Sequence, residues 1–507
     1  MYKLHLILKY LRKRRIAWVS LIAVTLCTTM VLVVISVMGG WLRMFRESFH
    51  GLTGDVIVHG DLQGFPHYEE MIAKLEALAG VKAAVPTIDT FGLINIIDRS
   101  RQGVRVIGYP LERIGEVNAF PRSLYRQYQQ YVDASENPKL PREQRAEAKR
   151  LADEGAKKAS WEKPYPPEVY KSILPRSKVP VENWNGMIVG VGVLGLHKDR
   201  NGNWPERDGV YSAWAKLTVL GIDAGQGIDL AGQKTEESYW IIDDSRTQIW
   251  QYDQNSVYIP FENLQRNLSM DAREEIDPDT KQVTKVPART RELQVAAKPG
   301  ANLQDVKARV RKVVDEVMAL HDAEDLKQPK PPNLLTSERY PIKVETWEES
   351  QATFIAAIEK EKALITFLFG MISIVAIFLI FCIFYMIVVE KTKDIGIIKS
   401  VGATNAGVAG IFLGYGLAIG IVGAGLGLLF GYLIVHNINY LHEQMGRLLN
   451  IQIWNPEVYA FDTIPNTMAS KEVTIILIVA MISAVLGAMV PAIRAARMQP
   501  VEALRWE

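Results

Sequence analysis

Two short runs in this chain have residue types and spacing that could do chemistry, and each lacks a part its chemistry needs. Gly190-Val-Gly-Val-Leu-Gly195 carries the three glycines with which a turn after a strand cradles a pyrophosphate. That grip also needs a helix start behind the glycines, whose free N–H groups and positive dipole end hold the phosphates. Behind them instead comes His197-Lys-Asp-Arg-Asn-Gly-Asn-Trp-Pro205, a turn-forming run, so the glycines read as the end of a strand. Asp199-Arg-Asn-Gly-Asn-Trp204 opens like a calcium loop, but Trp204 stands where the sharp turn needs glycine and Val210 where a bidentate glutamate is needed. The eight histidines are scattered, with no His-Glu-x-x-His and no Cys/His cluster. There is no Gly-x-Ser-x-Gly elbow and no Gly-x-x-x-x-Gly-Lys-Ser/Thr phosphate loop. The expectation is a chain that is not an enzyme, binds no cofactor or metal, and does not hydrolyse a nucleotide by itself.

The elements around these runs explain the lack. Apolar residues concentrate in four windows, 16–38, 363–389, 406–435 and 473–490. Each can cross roughly 30 Å of hydrocarbon as a helix rising 1.5 Å per residue. The gap between the first two windows is mixed, charged and broken by Pro and Gly, as a water-exposed domain is. The predicted fold class is therefore a membrane protein with four transmembrane α-helices, arranged one plus three, and a large α/β domain at 41–357 between the first and second. Gly54–Gly60 alternates as a strand, Tyr68–Ala79 has helical spacing, and 81–85, 91–97 and 104–107 are short β-branched runs. Further strands are expected at 187–193, 215–220 and 257–259, and Glu292–Ala297 precedes an amphipathic helix at Leu303–Leu320. The stretch 123–178 is rich in charge and Pro and poor in aliphatics, which predicts a solvated helical insertion or a mobile arm. Residues 325–341 form a Pro-rich linker, and 437–471 an extracytoplasmic loop.

Lys/Arg and Asp/Glu are nearly balanced at 58 and 56, so no global positive field recruits nucleic acid. The only cysteines, Cys27 and Cys382, fall inside predicted spans, and the large domain has no disulfide. Lys9, Arg12, Lys13, Arg14 and Arg15 precede the first span; Arg494, Arg497 and Arg505 follow the last. Basic flanks face the cytoplasm, so both termini (1–15 and 491–507) and the segment 390–405 are expected inside and the large domain outside. The first window is longer than a signal core and lacks a small-x-small cleavage site, which favours a retained anchor.

Two segments remain. Glu390-Lys-Thr-Lys-Asp-Ile-Gly-Ile-Ile-Lys-Ser-Val-Gly-Ala-Thr404 can form a short helix with Ile395, Ile398 and Val401 along one side, or can be an ordinary charged loop; periodicity leaves both open. The third window contains Gly423-x-x-x-Gly427-x-x-x-Gly431, whose small residues let helices approach closely in lipid, with a dimer seam as one version of that packing.

The segment Glu390–Thr404 with its Gly-rich span, together with the closing Pro491-Ala-Ile-Arg-Ala-Ala-Arg-Met-Gln-Pro-Val-Glu-Ala-Leu-Arg-Trp-Glu507, resembles the two signatures of FtsX/MacB-type permeases of type VII ABC transporters. The resemblance covers the N-terminal anchor and about 342–507, and is weak over the large domain. Trp347 with Glu359-Lys-Glu-Lys362, and Trp454–Pro465, are similar to the lipoprotein-releasing LolC/LolE branch, from which the charged insertion departs. The resemblance implies an inner-membrane subunit that works with a separate cytoplasmic ATPase holding ATP and Mg, a second permease subunit that is identical or a paralogue, and an extracytoplasmic carrier or enzyme. It implies lipoprotein release or export of a hydrophobic substrate; an FtsX-like scaffold that regulates an outer enzyme without moving cargo is the alternative. Carried over, Glu390, Lys391, Asp394, Ile395, Gly396, Lys399, Gly402 and Ala403 form the coupling segment, with Ile395 as the anchor on the ATPase. Pro491, Arg494 and Arg497 would fix the inner end of the last span.

Overall fold

The computed structural model describes residues 15–61, 64–97, 102–174, 180–196, 210–220, 234–247, 249–276, 283–325, 342–449 and 463–505. The Asp199–Trp204 run, most of the Pro-rich linker, and Trp454 lie outside the described residues. The chain divides into two compact units, one of residues 1–45, 353–455 and 463–507, the other of residues 46–352 and 456–462.

In the first unit the apolar windows are helices that run on past the expected spans: Arg15–Leu52, Ala352–Glu390, Asn405–His436 and Ser470–Arg497. Each is long and apolar enough to cross a membrane. The third helix, with its glycines, is the centre of the packing. Gly423, Gly427 and Gly431 face Val24, Thr28 and Leu32 of the first helix. A Cβ placed on Gly427 would lie 2.6 Å from the Thr28 Cβ and 3.1 Å from the Thr25 carbonyl oxygen. That closeness lets the Thr29 hydroxyl donate to the Gly427 carbonyl across 3.2 Å. Gly416 and Gly420 meet Ala488 and Ala484 of the fourth helix in the same manner, and Gly487 of the fourth meets Ile380 of the second. The glycine face expected as a candidate dimer seam is thus occupied within the chain. At the end of these helices remote from the polar segment, Lys362 of the second pairs with Glu472 of the fourth at 2.7 Å, with Glu472 lying over Gly39 of the first.

The second unit is built on a nine-stranded sheet, flanked among the described residues by two two-stranded ladders; the strands of the sheet are β1 (Val56–His59), β2 (Val81–Ile96), β3 (Gln102–Tyr109), β4 (Gly186–Gly190), β5 (Trp214–Leu220), β6 (Lys234–Ser245), β7 (Ser256–Pro260), β8 (Glu292–Ala297) and β9 (Lys343–Thr346). Their order is β9-β1-β8-β2-β3-β7-β4-β6-β5, and β5 also pairs back onto β2. The long β2 serves two halves. Its first half pairs with β8 in a sheet covered by helices Tyr68–Glu76 and Leu303–Asp325, whose Met71, Leu75, Val310 and Val314 enter the core. Its second half pairs with β3 on one side and β5 on the other, closing β2-β3-β7-β4-β6-β5 into a ring. Gly92 sits where the two pairings overlap, and a Cβ there would fall 2.8 Å from the Thr218 carbonyl oxygen. Gly190 ends β4 and Val191–Gly195 turn without starting a helix, as a strand end rather than a phosphate cradle would.

The insertion is not a mobile arm. It forms helices Gln130–Glu136, Arg142–Gly155 and Pro167–Ile173. Leu124 and Tyr170 are fully buried, Tyr170 against Trp240 at a ring separation of 4.6 Å. The buried Asp243 at the end of β6 accepts from the backbone N–H groups of Arg126 (2.7 Å) and Gln127 (3.1 Å) and from the Gln127 side chain (3.2 Å). Burial and the adjacent Asp244 carboxylate push Asp243 up to about 7, against those donors. Polar composition had hidden this, because the segment is held by one buried carboxylate and a few aromatics rather than by an aliphatic stripe.

Gly427→Val overpacks the seam between the first and third helices and should cost about 1–3 kcal/mol, whereas Gly425→Val, with nothing within 4 Å of its Cβ, should be neutral. Thermal unfolding of the two purified variants in one detergent checks this; equal melting temperatures would contradict the seam.

Candidate coupling site at the polar segment

The segment after the second helix is a helix held between two turns. Lys391 breaks the second helix, a nine-residue hinge helix runs Thr392–Ser400, and the third helix begins at Asn405. The buried Thr392 hydroxyl donates to the Val389 carbonyl at 2.8 Å, satisfying one of the groups a helix end leaves open. Lys391 pairs with Asp394, which lies in the first turn where the helix dipole favours a negative charge. The exit is a Schellman turn. Ala403 N–H donates to the Ile398 carbonyl and Gly402 N–H to that of Lys399, with Gly402 at φ 104°, a left-handed geometry for which glycine alone carries no steric cost. Thr404 then caps the third helix, its hydroxyl accepting from Gly407 N–H at 3.1 Å.

The hinge helix is fastened to the fourth. Lys399 Nζ donates to the carbonyls of Ala496 (2.7 Å) and Met498 (2.6 Å), so its charge closes the fourth helix's negative dipole end. The short helix Pro500–Arg505 packs against the hinge helix, and Ala503 is buried. Arg494 stacks over the Tyr385 ring at 4.6 Å and bonds its hydroxyl, joining the ends of the second and fourth helices. Pro491 is buried inside the fourth helix, and Arg497 is its exposed last residue. Of the carried-over residues, Lys391, Asp394, Ile395, Gly396, Lys399, Gly402 and Ala403 lie on the hinge helix and its turns and Arg494 at the end of the fourth helix, with Glu390 exposed at the rim and Pro491 buried further up the fourth helix.

One assignment changes. Ile395 is only 3 % exposed and belongs to the apolar core with Ile387, Val388, Val408 and Phe412, so it cannot anchor a partner. Val401, the cap residue just past Ser400, is exposed rather than buried beside Ile395. The outward side carries Lys393, Ile397 and Val401, the last two 52 % and 84 % exposed. Their i, i+4, i+8 spacing was the signal available in the sequence.

Between the first, second and fourth helices lies a cavity of about 410 Å³, lined mainly by apolar side chains including Val31, Phe369, Ala376 and Val479, with Cys27 and Ser373. Its lining begins at Thr366 and Ile475, one turn from the Lys362–Glu472 pair. The cavity lies within a single chain.

Residues 366–500 match the model of the FtsX-like permease C-terminal domain. The lipoprotein-releasing system transmembrane protein LolC of Xylella fastidiosa (strain 9a5c) is 30 % identical over 167 residues, 33 % of this chain and 40 % of LolC. LolE of Haemophilus influenzae is 30 % identical over 130 residues, 26 % of this chain and 31 % of LolE. The matched stretches span two-fifths or less of those two relatives' lengths. The crystallised periplasmic region of MacB from Actinobacillus actinomycetemcomitans aligns with 60 % of this chain and 94 % of its own at 8 % identity, with a TM-score of 0.24, a likeness too loose to bear on the fold. Residues 366–500 thus match an FtsX-like permease C-terminal domain, and the chain is similar over part of its length to LolC and LolE.

Proposed function

We propose that this chain is the inner-membrane subunit of an ABC transporter that turns the closing of a separate ATPase on ATP and Mg into rearrangement of its extracytoplasmic unit, and that its cargo is a lipoprotein or another acylated, hydrophobic substrate. The basic flanks support a topology with the hinge helix and termini in the cytoplasm and residues 46–352 outside. A second permease subunit, identical or paralogous, completes the transporter.

The observation that carries the reading is the Lys399 clamp. A force applied to the exposed Lys393–Ile397–Val401 side is passed through Lys399 to the end of the fourth helix and through the Ile395 core to the second and third. Tight glycine contacts then carry it along the bundle without slack, because close-packed helices shift as bodies rather than deform. The cavity favours a moved cargo over a purely signalling scaffold. An acyl chain cannot cross water without a cost of about 0.8 kcal/mol per CH₂, and an apolar recess among the spans removes that cost.

Ile397→Asp and Ile395→Asp separate docking from folding. Ile397→Asp should leave the melting temperature unchanged and abolish this chain's stimulation of its ATPase; Ile395→Asp should lower the melting temperature, since it buries a charge in an apolar core. Full stimulation by the Ile397 variant would remove the docking assignment. Reconstituted with its ATPase and an acylated protein, the chain should transfer that protein to a soluble carrier only with ATP. ATP-dependent activation of an outer hydrolase with no transfer would instead support the scaffold reading.

A further inference from the structure

The stretch after the third span, expected to be a loop, contains a twelve-residue helix, Ile438–Leu449, separated from that span by Asn437 alone. Its sequence, Ile-Asn-Tyr-Leu-His-Glu-Gln-Met-Gly-Arg-Leu-Leu, places Ile438, Leu441, Met445, Leu448 and Leu449 within one arc of a 100° helical wheel, with Asn439, Glu443 and Arg447 opposite. None of its residues is buried, and Met445, Leu448 and Leu449 are 50 %, 85 % and 54 % exposed.

Two observations say what covers this face. Asn439, on the polar side, is bonded twice to the backbone of Ile464: its amide donates to the carbonyl at 2.9 Å and its side-chain oxygen accepts from the N–H at 2.9 Å. Glu443 and Arg447 pair with each other on that side too. Asn439 therefore ties the polar side to the protein's own loop, while Leu441, Met445, Leu448 and Leu449 are left exposed. Leu429, Phe430 and Leu433 in the last turns of the third span, a helix long and apolar enough to cross a membrane, are about half exposed as well, and Asn437 alone separates that span from this helix.

We propose that Ile438–Leu449 lies in the plane of the bilayer, its Leu441–Met445–Leu448 face sunk among the acyl chains of the leaflet opposite the hinge helix. A helix this short, with one apolar and one strongly polar face, settles at the interface rather than spanning. The helix then acts as a float at the far end of the third span. That span can tilt when the hinge is driven, but cannot slide along the membrane normal without pulling Leu448 into water. The proposal does not depend on what the chain transports.

The test uses the full chain with Cys27 and Cys382 replaced by Ser, reconstituted in phosphatidylethanolamine/phosphatidylglycerol vesicles, and a single cysteine at Leu448→Cys or, as the polar-face control, Arg447→Cys. Each is labelled with an environment-sensitive fluorophore. At position 448 the label should be quenched several-fold more by a lipid carrying a nitroxide high on its acyl chain than by aqueous iodide, and at 447 the order should reverse. Both positions are exposed, so the substitutions should leave the melting temperature unchanged. Equal iodide access at both positions would overturn the proposal. So would protection at 448 without lipid quenching, or protection that disappears as the vesicles are diluted in protein, which would assign the face to a second copy.

Discussion

Inside a bilayer, apolar side chains gain nothing by leaving lipid for protein, so four helices stay together only where their backbones come close enough for dense contact and hydrogen bonding. In this chain that closeness depends on glycines of the third helix. Gly423, Gly427 and Gly431 admit the first helix and Gly416 and Gly420 the fourth, while Gly487 admits the second onto the fourth. The third helix is consequently the keel on which the other spans are laid, and the one that continues directly from the hinge.

Such a seam matters for more than stability. A contact made of backbone and small side chains has no long rotamers to absorb displacement, which is what the proposed transmission of motion along the bundle requires. The hinge helix meets this bundle through a buried isoleucine, a lysine bound to two carbonyls at the fourth helix's end, and a glycine turn that only a left-handed residue can make. Together these fastenings join the hinge to the second, third and fourth spans. At the opposite end the Lys362–Glu472 pair again ties the second helix to the fourth, beside Gly39 of the first, next to the apolar cavity. Polar fastenings thus stand at both ends and close packing between them.

Much of this was legible in the residues. Four apolar windows gave the spans, because nothing but length and hydropathy is needed to cross hydrocarbon. The mixed strands and helices of the large unit were readable from alternation, although the closing of β2-β3-β7-β4-β6-β5 into a ring was not, since pairing of β5 with β2 spans more than a hundred residues and leaves no local trace. The hinge was recognised, but its faces were exchanged. A stripe of isoleucines indicates that one side is apolar; whether that side meets the protein's own core or a partner depends on where the helix stops. For the insertion, composition left a helical insertion and a mobile arm both open, and the structure has the helices. Asp243 anchors it from a strand over a hundred positions later, and a single buried carboxylate has no periodicity.

The central claim is that the hinge helix faces the ATPase on one side of the membrane while residues 46–352 work on the other. In vesicles carrying a cysteine-free chain with one new cysteine, Val401→Cys or, in the insertion, Lys157→Cys, a membrane-impermeant maleimide tests it directly. The account predicts that the two positions react from opposite sides of the bilayer and that adding the ATPase protects position 401 alone. Reaction of both from the same side, or a position 401 that the ATPase leaves fully reactive, would contradict it.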